Sequence, residues 1–131
     1  MTLNWELMSE DDLQCLVIDL AQRYGWTVAH FRPAETKKGW RTAVSADGVG
    51  FPDLILVKGH RLLVVELKKE DGKLAAEQYF WLLKFLGVEA EVYLWKPSDE
   101  DEFTAVLTGR RLQYVSGESA MDLASALREI I

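Results

Sequence analysis

Three residues near the middle of the chain are of types that do chemistry: Asp53, Glu66 and Lys68. Asp53 follows Phe51-Pro52, and Glu66-Leu67-Lys68 begins thirteen residues later. Two β-rich runs, 51–58 and 61–68, are separated by Gly59-His60, a two-residue turn with glycine first that suits type II′. A turn of that length sets the register: Lys58 faces Arg61, and Asp53 faces Glu66. Alternation along the strands then puts Asp53, Glu66 and Lys68 on one face of a sheet. Directly opposed Cβ atoms lie about 4.5–5.5 Å apart, where like charges destabilise a pair. The neighbouring Leu62-Leu63-Val64-Val65 is apolar on both faces, as in a central, covered strand. Two carboxylates in such a place need compensation. One source is a divalent cation, since hard ions such as Mg²⁺ take oxygen ligands and bind through one or two carboxylates plus phosphate and water. The other is Lys68, closing an internal salt bridge. A salt bridge leaves one negative charge uncompensated in a partly dry place, which is costly. A cation leaves none, and frees Lys68 to orient or deprotonate an attacking water.

Several elements must position these groups. Ser9 is an N-cap with Asp12 three residues on, and the periodicity predicts a helix from about Ser9 to Tyr24, stopped by Gly25. Leu13, Leu16, Val17, Leu20 and Tyr24 form its apolar stripe. Trp26 to Phe31 reads as a short strand, and 32–50 as a long polar loop of the kind that is usually functional or mobile. After the two central strands come a helix over Leu74–Leu86, a strand over Val88–Trp95 and a short acidic helix near Asp99–Leu107. The tail offers a strand at Leu112–Val115 and a helix from Ser119 whose apolar face is Leu123, Ala124, Leu127, Ile130 and Ile131. The expected architecture is a single α/β domain with a mixed sheet flanked by helices, in α-β-β-β-α-β order, with a core at about 9–107 and a C-terminal extension at about 108–131.

The ordered set of residues resembles a known family. Phe51-Pro52-Asp53 with Glu66-Leu67-Lys68 is similar to the PD-(D/E)XK nuclease signature. The longer string resembles the VRR-NUC subfamily: Gly50-Phe51-Pro52-Asp53-Leu54-Ile55-Leu56, Val65-Glu66-Leu67-Lys68, then Gly72-Lys73-Leu74 with Glu77-Gln78 and Trp81. The similarity extends to Ser9-Glu10, Leu13-Gln14 and Val17–Ala21 at the start, and to Val92–Asp99 later, covering about residues 9 to 105. It implies a restriction-endonuclease-like core and a Holliday-junction resolvase-like enzyme of a bacterial cell or phage-infected host. It further implies that Asp53 and Glu66 hold Mg²⁺, with Mn²⁺ able to substitute, and that the Leu67 backbone carbonyl is a third ligand. Lys68 would position the attacking water, and Gln78 would face the site. The family also draws an acidic residue from the first helix. At about 100° per residue, Glu10 lies some 60° from the centre of the apolar stripe, Asp12 about 100° and Asp11 about 160°. Glu10 is the best placed, against the alternative that it merely complements the helix start. Ala75 departs from the pattern, standing where related sequences tend to carry a Ser or Thr cap.

The expected activity is divalent-metal-dependent hydrolysis of phosphodiester bonds in branched or structured DNA. The competing reading is a non-catalytic nucleic-acid-binding or assembly module that keeps the fold; the intact Asp53, Glu66 and Lys68 argue against it. A sequence-specific restriction enzyme would need additional elements to read the major groove. Two active sites suit junction cutting, so a homodimer is expected. Trp40, with Lys37, Lys38 and Arg41, is a basic-aromatic mixture that could grip a DNA backbone and stack on a base, or simply a solvated loop. Trp26, Tyr79, Trp81 and Trp95 read as core.

Whole-chain charge points the other way. The 131 residues carry 15 Lys+Arg and 21 Asp+Glu, a net charge of −6, a poor prior for nucleic acid. Residues 30–75, however, hold nine basic side chains, among them Lys69 and Lys73, and six acids, a net of +3 that leaves −9 for the remainder. Phosphate contact depends on that local field. No run of about 18 apolar residues could cross a membrane, Met1–Glu6 does not read as a secretory signal, and the single Cys15 excludes a disulfide framework within this sequence. A cytoplasmic setting is the expectation.

Overall fold

A computed structural model of the chain describes residues 4–31, 34–36, 39–41 and 45–109, the two short middle pieces by backbone alone. The central hairpin adopts the expected register. Strands β4 (Leu54–Lys58) and β5 (Arg61–Leu67) pair antiparallel from Lys58↔Arg61 to Leu54↔Val65. Gly59 takes φ +58°, and His60 is not among the residues with positive φ, as a type II′ turn requires. The regular ladder ends one residue short of Asp53, whose carbonyl accepts a bond from the Phe31 amide instead (3.3 Å).

Strand β1 (Thr27–His30) pairs antiparallel with β4, and β6 (Glu91–Trp95) runs parallel to β5, giving a mixed four-stranded sheet in the order β1-β4-β5-β6. Strand β5 is therefore central. Its Leu63, Val64 and Val65 are fully buried because helices cover both faces. On one face, Leu63, Val65 and Leu67 pack with Leu13, Val17 and Ala21 of helix α1 (Glu10–Arg23) and with Phe103, Val106 and Leu107 of α3 (Glu100–Leu107). On the other, Val64 and Val92 pack with Leu82 of α2 (Ala76–Leu86). Alternation assigns Glu66, and by register Asp53, to this α2 face. The chain is thus an α/β fold with a mixed sheet and three described helices. No helix among the described residues is long and apolar enough to cross a membrane.

The helix ends follow local chemistry. Ser9 Oγ accepts the Asp12 amide (3.0 Å), and the Asp12 carboxylate accepts the Ser9 amide (3.4 Å), so the capping box that opens α1 is reciprocal. The end of the sheet remote from Glu66 is closed by Arg61, whose guanidinium donates twice to Glu91 (2.8 and 2.6 Å) and lies 5.2 Å from the Trp26 ring centroid. Trp26 and Trp95 are core residues, their indoles bonded to the Leu107 carbonyl (2.9 Å) and to Glu102 (2.8 Å).

Four expectations need correction. Residues 32–50 are not one irregular loop: a small antiparallel ladder, β2 (Ala34–Thr36) with β3 (Gly39–Arg41), lies within them. Three-residue strands are too short to show an alternation. Tyr24 does not continue the apolar stripe of α1; it is the C-cap and is exposed, because the backbone leaves helical geometry there. Helix α2 begins at Ala76, with Leu74 and Ala75 outside it, and β6 begins at Glu91, three residues later than expected because 87–89 form the turn that closes the helix. The expected strand at 112–115, the C-terminal helix, and Lys37 and Lys38 lie outside the described residues.

Candidate active site

Glu66 is the one buried charged or polar residue among those described, at 1% exposure. It sits near the end of central strand β5, where its carboxyl group is shielded from water. Its Oε1 accepts a bond from Gln78 Nε2 (3.1 Å). Its Oε2 is buried without a hydrogen-bond partner. Burial is the largest influence on its acidity, followed by a hydrogen bond to Asp53 and the Asp53 charge; together they push the Glu66 pKa up to about 10, with Lys68 acting in the opposite direction. Two ionised carboxylates cannot donate to each other. A hydrogen bond between them needs a proton on one of the two, so with both ionised Glu66 Oε2 is left unsatisfied.

Asp53 is aimed by the backbone opposite it: its Oδ2 accepts the Leu67 amide (2.9 Å). That bond replaces the ladder contact missing at this position, and it uses the N–H of Leu67, whose carbonyl was the expected ligand. Lys68 continues β5 in hydrogen bonding, its amide donating to the Trp95 carbonyl (3.1 Å). From α1, half-buried Glu10 joins the group. Burial chiefly raises its pKa; Lys68 lowers it, and Asp53 raises it again, so Glu10 shares the field of both. Gln78 is set by its own helix. Its Oε1 accepts the Ala75 amide (2.8 Å), which leaves the amide nitrogen to donate to Glu66. Ala75 cannot cap α2 with a side chain, and Gln78 supplies half of a capping box in its place.

The structure therefore brings together Asp53, Glu66, Lys68, Glu10 and Gln78. Lys69 and Lys73 are exposed nearby in sequence, Lys69 within 3.6 Å of Asp71. Trp40 and Arg41 belong to β3, described by backbone only. Among the described residues no three His, Cys, Asp or Glu side chains form a metal cluster on their own. The oxygen-only pair Asp53 and Glu66, with one buried oxygen lacking a donor, fits a hard divalent ion that draws its other ligands from backbone, water or phosphate.

A further feature escaped the sequence reading. The segment 45–52 leading to Asp53 is strapped to α2. The Trp81 indole donates to the carbonyls of Asp47 (3.0 Å) and Val49 (3.1 Å), and Phe51 packs edge-on against Phe31 and Trp81 with centroids 5.2 and 5.0 Å apart. Gly50, at φ +83°, lies so close to α2 that a Cβ would come within 2.6 Å of the Glu77 backbone carbon and Cβ. Gly50→Ala is expected to cost about 2–4 kcal/mol in urea denaturation, combining left-handed strain with overpacking. A loss below about 1 kcal/mol would mean that the strap yields freely. The sequence signals were Gly50 before Phe51 and a tryptophan one helical turn into α2, but neither names its partner. No protein-family model matches the chain, and no curated protein matches it.

Proposed function

We propose that the chain is a divalent-metal-dependent endodeoxyribonuclease of the PD-(D/E)XK type, hydrolysing phosphodiester bonds in branched or structured DNA. The observation that carries this reading is the buried Glu66 Oε2 without a donor, beside Asp53 and in the field of Lys68. Evolution-independent physics disfavours such an arrangement unless a cation or proton fills it. Asp53 and Glu66 would hold Mg²⁺, with the Leu67 carbonyl as a candidate third ligand. When bound, such an ion supplies Lewis-acid stabilisation of a phosphoryl group and lowers the pKa of water. The chain's own groups do the rest. Gln78 keeps Glu66 Oε1 engaged, the Leu67 amide holds Asp53, and the Lys68 ammonium can orient a nucleophilic water and take part in proton transfer. Glu10, at the edge of the group, can accept a hydrogen bond from that water. DNA would reach the site from the side carrying Lys69 and Lys73, within the basic stretch 30–75. A homodimer would present two such sites to a junction.

The test is cleavage of a synthetic four-way junction, a flap and a plain duplex, each with Mg²⁺, Mn²⁺ or a chelator. Cleavage is expected with either metal, fastest on a branched substrate, and none with the chelator. Failure to cut any of the three with either metal would remove the nuclease reading. Light scattering at micromolar concentration tests the dimer.

A further inference from the structure

The proposed role of Lys68 requires its ammonium to be held still, yet lysine has a flexible four-carbon stem with about 2 kcal/mol of rotamer entropy. No ion pair shorter than 4.0 Å between Lys68 and a described carboxylate accounts for such order. The restraint comes from the turn that follows the strand. The Gly72 amide donates to the Lys69 carbonyl (2.9 Å), closing a tight turn over Lys69–Gly72. That turn folds back onto Lys68: a Cβ on Gly72 would lie 3.2 Å from Lys68 Cβ and 3.4 Å from its Cδ, and 3.1 Å from the Lys69 carbonyl oxygen. The approaches to the Lys69 oxygen and to Lys68 Cβ are tighter than most real Cβ contacts, and the one to Cδ is ordinary van der Waals contact. Gly72 has no positive φ, so backbone conformation does not call for glycine here; space does.

The turn is anchored at its other side. Glu70 Oε1 accepts the Ser98 amide (2.8 Å), tying it to the connection between β6 and α3. The Lys68 amide is bonded to the Trp95 carbonyl on the same strand end. The lysine backbone and the turn covering its stem are thereby fastened to one neighbouring segment, 95–98. We infer that the Lys69–Gly72 turn is a brace for Lys68, in which Gly72 and Glu70 are positioning residues: Gly72 by leaving room for the methylene stem, Glu70 by pinning the turn to Ser98. The catalytic consequence rests on the nuclease reading; the ordering of the side chain does not.

Gly72→Ala requires the stem or the turn to give by a few tenths of an ångström at these atoms, a shift that the long stem carries to the ammonium, and Glu70→Ala releases the anchor. Glu70→Gln keeps an oxygen able to accept the Ser98 amide. Gly87→Ala is a matched control, because the nearest atom to an added Cβ there is the Lys84 carbonyl oxygen at 3.4 Å. Displacement of a catalytic group by about 1 Å can cost on the order of a hundredfold. Gly72→Ala and Glu70→Ala are therefore expected to lower kcat about ten- to a hundredfold with KM within about twofold. Glu70→Gln and Gly87→Ala should stay near the unmutated rate. A second readout needs neither metal nor activity. In ¹³C-labelled metal-free protein, the two Lys68 Hε protons should have separate shifts, merging in Gly72→Ala and Glu70→Ala but not in Glu70→Gln. If the unmutated protein cuts DNA and Gly72→Ala cuts equally fast, the brace is wrong. If nothing cuts, the nuclease reading falls, and the Lys68 spectrum alone decides: one merged Hε signal in the unmutated protein refutes the brace, and separate signals that merge in Gly72→Ala support it.

Discussion

Asp53→Asn is expected to abolish metal-dependent cleavage, by about a thousandfold or more, without weakening the fold. The size follows from the proposed role: loss of a ligand would remove Lewis-acid stabilisation worth several kcal/mol, and about 4 kcal/mol is a factor of a thousand. The geometry survives because asparagine keeps an oxygen to accept the Leu67 amide, a bond that aims this side chain. The variant also relieves Glu66 of a neighbouring negative charge, so metal-free protein should be no less stable than the unmutated chain above neutral pH. That pairing, dead enzyme with undiminished stability, separates a catalytic role from a structural one. Lys68→Ala should lose about a hundred- to ten-thousandfold, the usual range for a positioned proton-transfer group. A variant Asp53→Asn that retains more than a tenth of the activity would show that Asp53 is not a ligand.

The second large effect concerns acidity. The Glu66 pKa lies at about 10 in the fold and near 4.5 in an unfolded chain, chiefly through burial. The folded form thus binds a proton that the unfolded form has released. Stability contributed by that proton is intact below about pH 4.5 and is lost as pH rises toward 10. In metal-free protein, urea denaturation should show stability falling between pH 6 and 9, with a ceiling of about 1.4 kcal/mol per pH unit. Glu66→Gln should flatten this slope and be the more stable protein at pH 8.5, by on the order of 2 kcal/mol. Mg²⁺ should restore the unmutated protein at high pH, by about 2.7 kcal/mol at a hundred times its dissociation constant, and leave Glu66→Gln unmoved. A metal held by Glu66 would have to displace that proton, so its affinity should rise with pH. Parallel pH profiles for the two proteins would mean that Glu66 is ionised and satisfied in the fold by something else.

The sequence made the heart of the site legible because one short turn fixes so much. Once Gly59-His60 is a two-residue connection, Lys58↔Arg61 and the whole ladder to Leu54↔Val65 follow, and the same register carried one residue further sets Asp53 against Glu66. Ser9 and Asp12 were equally readable, since a capping box is local chemistry. What could not be read depends on contacts between segments distant in the chain. Trp81 reaches back 34 residues to Asp47, Glu70 reaches forward 28 to Ser98, and nothing at either position names its partner. Gln78 was placed at the site by resemblance, but its hold on the Ala75 amide shows only in three dimensions. The pairing of 34–36 with 39–41 was invisible because three residues carry no period.

The missing side-chain cap at Ala75 has one further consequence. Among the described residues it is Gln78 that accepts the Ala75 amide, and Gln78 in turn donates to Glu66. Solvent exchange of that single backbone hydrogen should therefore track the rotamer of the buried Glu66 side chain, to which the Gln78 amide group links it. The first turn of α2 is in this sense a built-in gauge: the rate at which one exposed helix terminus trades its hydrogen for deuterium reports whether the interior carboxylate is in place, with no substrate or label at the site.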